Sequence, residues 1–175
     1  MGNNLSGAVV AFPSMGAVDL NLWPIPLVGI DTDGNTQVLA CTKPTNATST
    51  ITGAAPANSN TFVLNGKTYT FKTALTPAEG EILLGANATA AWLNAKNAIN
   101  SGGVNGTDYQ VAAPHPTIQA TASNSTTASI RAILPGAAGN LLTTTATGVT
   151  VTAATLAGGY YARLLVTTSI TAVAP

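Results

Sequence analysis

Val18, Leu20 and Leu22 alternate with Asp19 and Asn21, the period of a strand buried on one face. Pro24 and Pro26 then remove two backbone donors, which suits an edge strand or an extended arm better than a central strand. The polar run 31–35 turns the chain into the apolar stretch ending at Cys41, so a hairpin is predicted there. Residues 44–60 are polar and hold Pro44 and Pro56, a linker by composition.

The next hundred residues are better patterned. Asn65-Gly66 joins 61–64 to 67–72, and an Asn-Gly pair between alternating apolar runs predicts a type I′ hairpin. Phe62 and Leu64 should then share a face with Tyr69 and Phe71. A short strand follows at 81–84. Asn87 is placed to cap a helix over 88–100, which stops at Ser101-Gly102-Gly103 and buries Ala88, Ala91, Trp92, Ala95 and Ile99. Thr-, Val- and Ala-rich strands are expected near 117–122, 126–133, 141–146 and 149–156, and a long β-rich segment over 160–171. The predicted fold class is mainly β (α+β): antiparallel sheets, one helix at about 88–100 packed on a sheet, and an extended N-terminal arm. Three zones result: an arm, hairpin and linker over 1–60, a central module over 61–159, and a C-terminal strand over 160–175 that pairs with the N-terminal zone.

Composition narrows the function classes. Of 175 residues, 31 are Ala, 28 Thr, 17 Gly and 15 Asn, while only 6 are acidic and 6 basic. A charged fraction of 7% leaves no basic stripe for nucleic acid and no polybasic membrane anchor. With 46% apolar residues the chain is not of the disordered type either. No apolar run reaches the roughly 18 residues of a membrane helix, and the N-terminus does not read as a signal peptide. Cys41, the single cysteine, is expected as a packed, inert thiol.

Candidate chemistry is sparse. Asp31-Thr32-Asp33-Gly34-Asn35 begins like a calcium loop, but the sixth and twelfth positions are Thr36 and Thr42, so a turn is the better reading. Glu79 and Glu81 are expected to be exposed acids, and His115, between Pro114 and Pro116, a loop histidine. Gly136-Ala137-Ala138-Gly139-Asn140 lacks the Lys-Ser/Thr of a phosphate loop and reads as a turn or helical corner. No catalytic, cofactor-binding or metal-binding residue is predicted, and the chain is read as not an enzyme. The positive signal is apolar bulk on proline-broken or terminal strands: Leu22, Trp23, Ile25 and Leu27 at one end, Tyr160, Tyr161, Leu164 and Leu165 at the other. These form a candidate assembly interface, with closure of the protein's own core as the competing reading.

The central module also resembles a known one. Thr61-Phe62-Val63-Leu64-Asn65-Gly66-Lys67-Thr68-Tyr69-Thr70-Phe71-Lys72-Thr73-Ala74-Leu75 is similar to a β-rich module that recurs in structural proteins of tailed-bacteriophage virions. So are Glu81-Ile82-Leu83-Leu84-Gly85-Ala86, Ala91-Trp92-Leu93-Asn94-Ala95-Lys96-Asn97-Ala98-Ile99-Asn100, Gly136-Ala137-Ala138-Gly139-Asn140 and Ala154-Thr155-Leu156-Ala157-Gly158-Gly159, in that order. The resemblance implies a virion structural protein, foremost a capsid decoration or cementing protein, with a collar or tail-fibre component as the alternative. It implies capsid or other virion proteins as partners, and the proline-broken arm with the aromatic C-terminal strand predicts other copies of the chain as well, in a trimer. Neither nucleic acid nor membrane is an expected partner, and the expected location is the virion, assembled in the host bacterial cytoplasm. A module binding carbohydrate or a host surface is the reading from another class, with Trp92, Tyr69, Tyr109 or Trp23 as stacking platforms; the helical spacing of Trp92 counts against it.

Overall fold

The computed structural model describes Leu27–Ile30, Thr36–Cys41, residues 43–161 and Leu164–Leu165. The chain divides into two compact units, Met1–Lys43 with Ala162–Pro175, and Pro44–Tyr161. In the first unit β1 (Leu27–Ile30) pairs antiparallel with β2 (Thr36–Cys41), Leu27 opposite Leu39. The C-terminal β12 (Leu164–Leu165) adds to the other side of β2, with Leu164 opposite Cys41. The remainder of the 160–171 segment lies outside the described residues, apart from Tyr160 and Tyr161, as do the arm 1–26 and the turn 31–35.

The second unit is mainly β, with two open sheets and one helix. One sheet holds β4 (Thr61–Leu64), β5 (Lys67–Lys72), β6 (Glu81–Leu83), β7 (Tyr109–Gln110) and β10 (Thr144–Thr147), in the order β10-β4-β5-β6-β7. The other holds β3 (Thr48–Thr52), β8 (Ile118–Ser123), β9 (Thr127–Ala132) and β11 (Thr150–Val151), in the order β11-β3-β9-β8. The helix α1 spans Ala88–Asn100.

The β4–β5 hairpin forms as its turn chemistry demands. Asn65 and Gly66 take φ of 42° and 86°, the left-handed pair that a type I′ turn needs. Phe62 and Tyr69 stand opposite each other with rings stacked 5.1 Å apart, and Phe62, Leu64, Tyr69 and Phe71 are all buried. Helix α1 begins where Asn87 accepts from the Ala90 N–H at 2.9 Å and ends at Ser101, which takes a left-handed φ of 51°. Its buried stripe is Ala91, Trp92, Asn94, Ala95, Ala98 and Ile99; Ala88, expected in it, is half-buried. The Trp92 ring meets Phe71 edge-on at 5.5 Å, and its Nε1–H donates to the Gly53 carbonyl at 3.1 Å. One aromatic thus fastens the helix to the hairpin and to the end of β3.

Three expectations need correcting. Residues 44–60 are not a linker: β3 runs between β9 and β11, and Ala47 and Ile51 are fully buried. Threonine hides the alternation, because its outward hydroxyls make the whole stretch look polar while every second residue faces inward. The boundary between units accordingly falls at 43/44 rather than 60/61. Over 141–156 the regular pairing is confined to β10 and β11. Residues 142–144 bond instead to 154–156, the Thr144 N–H to the Ala154 carbonyl at 2.8 Å and the Leu156 N–H to the Leu142 carbonyl at 3.0 Å. Finally, β5 and β6 pair parallel, Phe71 opposite Ile82, in otherwise antiparallel sheets. Gly80, at φ 89°, lets the returning chain press against the Thr68 carbonyl, where a Cβ would collide.

Candidate functional site

The residues with chemical potential hold loops in place. His115 is buried, 2% exposed, and anchors the 111–117 loop to the end of β4. Its Nδ1 accepts from the Ile118 and Thr117 N–H groups at 3.0 and 3.3 Å, which assigns the proton to Nε2 for donation to the Leu64 carbonyl at 2.8 Å. Burial lowers its pKa, the Leu64 bond works the other way, and the Lys67 charge lowers it further. The loop histidine is therefore a neutral clamp. Glu81, expected to be exposed, is 5% exposed beneath the 73–78 connection, where its carboxylate accepts from the Thr76 N–H and lies 3.8 Å from Lys72 Nζ. Glu79 is exposed as expected; it accepts from the Ala112 N–H at 2.9 Å and pairs with Lys67 at 3.0 Å. Asp108 accepts from the Val104 N–H at 2.9 Å.

Among the described residues no three of His, Cys, Asp and Glu gather closely enough to hold a metal ion, and no helix is long and apolar enough to cross a membrane. A depression at the start of α1 is lined by Pro56, Leu84, Asn87 and small residues, without a titratable group.

Three of the four proposed stacking platforms are not on the surface. Trp92 and Tyr69 are fully buried and Tyr109 is 2% exposed, because the hairpin, α1 and β7 close on one another around them. Burial also raises the pKa of the Tyr69 hydroxyl. Trp23 lies outside the described residues.

Of the candidate assembly residues, Leu22, Trp23 and Ile25 likewise lie outside the described residues. Leu27 is placed in β1, and Leu164 and Leu165 in β12, by backbone pairing alone. Tyr160 and Tyr161 are exposed at 53% and 59%. They stand at an end of the second unit built from three separate stretches. Thr45 exchanges backbone bonds with Tyr160 at 2.9 and 3.2 Å and accepts from the Gly136 N–H at 2.9 Å. Asn140 holds Gly159 through a reciprocal amide pair at 2.8 and 2.9 Å, and Asn46 donates to the Ala132 and Ile133 carbonyls. The Tyr161 ring lies against Gly136, which has φ 117° and no room for a Cβ.

On this braced end Ile133, Leu134 and Leu141 are exposed at 45%, 76% and 76%, and sequence reasoning missed all three. No family model, curated protein or solved structure matches the chain. The surface is thus characterised by its own physics: large apolar side chains on a rigid frame, offering contact area and release of water but no charge. The available signal was the break in alternation after Ala132, where Ile133-Leu134 runs apolar straight into the Pro135-Gly136 turn.

The sheet edges offer little by contrast. Asn100, at the last turn of α1, accepts from the Ala120 N–H at 2.9 Å and donates to the Ala120 carbonyl at 2.8 Å, standing where a strand beside β8 would bond. At β7 the chain covers its own edge, with Gly106 N–H bonded to the Tyr109 carbonyl at 2.7 Å. Both devices oppose strand addition at those edges.

Proposed function

We propose that this chain is a non-enzymatic structural protein of a phage particle, foremost a decoration or cementing protein on the capsid surface. The observation that carries the reading is the division of labour in the second unit. All three described acids and His115 bond backbone groups of nearby loops, while large uncharged side chains stand exposed on a braced end. Such a surface suits repeated modest contacts on a shell, where many copies supply avidity. A neutral Thr-rich face accords with this: the Thr52 and Thr150 hydroxyls bond at 2.8 Å across β3 and β11. The phage assignment rests on the ordered motifs of residues 61–159. In this reading the arm with Leu22, Trp23 and Ile25 and the terminal strand with Leu164 and Leu165 contribute further contacts, within a trimer. Replacing Trp23 and Ile25 with Asp should abolish incorporation into particles while circular dichroism of the chain is unchanged. Normal incorporation of that variant would remove the arm from the account.

A further inference from the structure

We infer that Asn65 is a self-modifying residue, whose side-chain amide is converted to a carboxylate by the backbone nitrogen of Gly66 and water. The chain holds 15 asparagines, and two of them, Asn65 and Asn105, precede a glycine. That pairing permits the reaction, because a residue without Cβ lets its amide nitrogen swing onto the preceding side chain. Which of the two reacts is decided by the fold.

Exposure does not separate them, since both asparagines and both glycines are exposed. Hydrogen bonding does. At the second pair the Gly106 N–H donates to the Tyr109 carbonyl at 2.7 Å, and Asn105 Oδ1 accepts from the Val111 N–H at 3.0 Å. Nucleophile and side-chain amide are both tied, each to a different residue. At the hairpin, by contrast, the Gly66 N–H donates to no protein group among the described residues. Gly66 lies outside the β4–β5 ladder, whose last pair is Leu64 with Lys67. A Cβ on Gly66 would meet nothing within 4 Å, so nothing crowds this peptide as it pivots. Asn65 is held through its backbone N–H, on the Thr143 carbonyl at 2.8 Å, and through Nδ2, on Thr117 Oγ1 at 3.2 Å. Its Oδ1 accepts no bond among the described residues, which leaves Cγ open to attack.

In the reaction the Gly66 nitrogen gives up its proton and bonds to Asn65 Cγ. The Cγ–Nδ2 bond breaks, ammonia leaves with that proton, and a cyclic succinimide remains. Water then opens the ring at either carbonyl, giving aspartate or isoaspartate. Either product puts a negative charge on a chain of formal net charge zero. Each also ends the Nδ2 bond to Thr117, two residues from His115. Isoaspartate further adds a carbon to the main chain of a two-residue turn, whose length sets the strand register.

The test ages the full chain in mildly alkaline buffer and maps its tryptic peptides by mass spectrometry at intervals. In the folded chain Asn65 should convert at least tenfold faster than Asn105, equivalent to about 1.4 kcal/mol of extra opening at the bonded site. In concentrated urea, where those bonds are gone, the two Asn-Gly pairs should convert at similar rates. Asn65→Gly keeps the left-handed turn and should lose the acidic species that ion exchange resolves from the aged wild type. A folded chain in which Asn105 keeps pace with Asn65 overturns the inference, as does an Asn65 that converts in urea but stays intact when folded. So does a preference that persists in urea, which would belong to the local sequence and not to the fold. An acidic species that forms as fast in Asn65→Gly overturns it too. None of these outcomes depends on whether the chain belongs to a virion.

Discussion

Replacing His115 with Gln tests whether a buried imidazole fastens the 111–117 loop. The side chain is 2% exposed and serves the Leu64 carbonyl on one nitrogen and the Ile118 and Thr117 N–H groups on the other. Glutamine retains a donor and an acceptor but cannot place both at the imidazole positions, so at least one buried backbone group loses its partner. At about 1–3 kcal/mol for each unsatisfied group, the expected loss is at least about 1–3 kcal/mol at pH 8. That is a large share of the 5–15 kcal/mol that typically holds a domain. The pH dependence is the sharper readout. Because the folded pKa is lowered, the unfolded chain binds the proton more readily. The contribution is therefore complete above the unfolded value near 6.5 and is lost as the pH falls toward the folded value, by at most about 1.4 kcal/mol per pH unit. The chain has one histidine, so no other imidazole contributes in that range. Urea midpoints followed by tryptophan fluorescence at pH 8, 7, 6 and 5.5 should fall with pH in the wild type and lose that component in His115→Gln. Equal slopes in the two proteins between pH 5.5 and 7, or a wild type more stable at pH 5.5 than at 7, would refute the clamp.

Two further outcomes follow from the backbone. Asn100→Ala unplugs the β8 edge at Ala120, so a loss of about 1–3 kcal/mol in chemical denaturation should accompany faster thioflavin-positive aggregation; unchanged aggregation would show that the edge is guarded elsewhere. Gly66→Ala and Gly80→Ala share a φ near +87° but differ in space, since a Cβ at Gly66 meets nothing and one at Gly80 meets the Thr68 carbonyl. Gly66→Ala should cost about 1–2 kcal/mol and Gly80→Ala clearly more, read as a difference in thermal midpoint; equal shifts would contradict the close approach.

The elements legible in the sequence are those specified by local chemistry. Asn65-Gly66 needs only its own φ angles to make a hairpin, and Asn87 with the spacing of Ala91, Trp92, Ala95 and Ile99 defines α1 within fourteen residues. What escaped depends on distant partners. β3 is buried because β9 and β11 flank it, and its Thr-Ser-Thr-Ile-Thr composition says nothing of that. The role of His115 is set by Leu64, 51 residues earlier, and that of Glu81 by a connection folded over it. The apolar end joins residues near 45, 133–141 and 158–161; Tyr160 and Tyr161 stand out in the sequence, but nothing local shows that the other two stretches meet them.

The central claim is that the chain is a component of a phage shell. Immunogold labelling of purified particles, with antibody against the second unit, tests it most directly. The account predicts gold distributed over the capsid surface in many copies per particle. Label confined to the tail or collar would contradict the decoration role, and particles without label, from cells that contain the protein, would contradict the virion assignment itself.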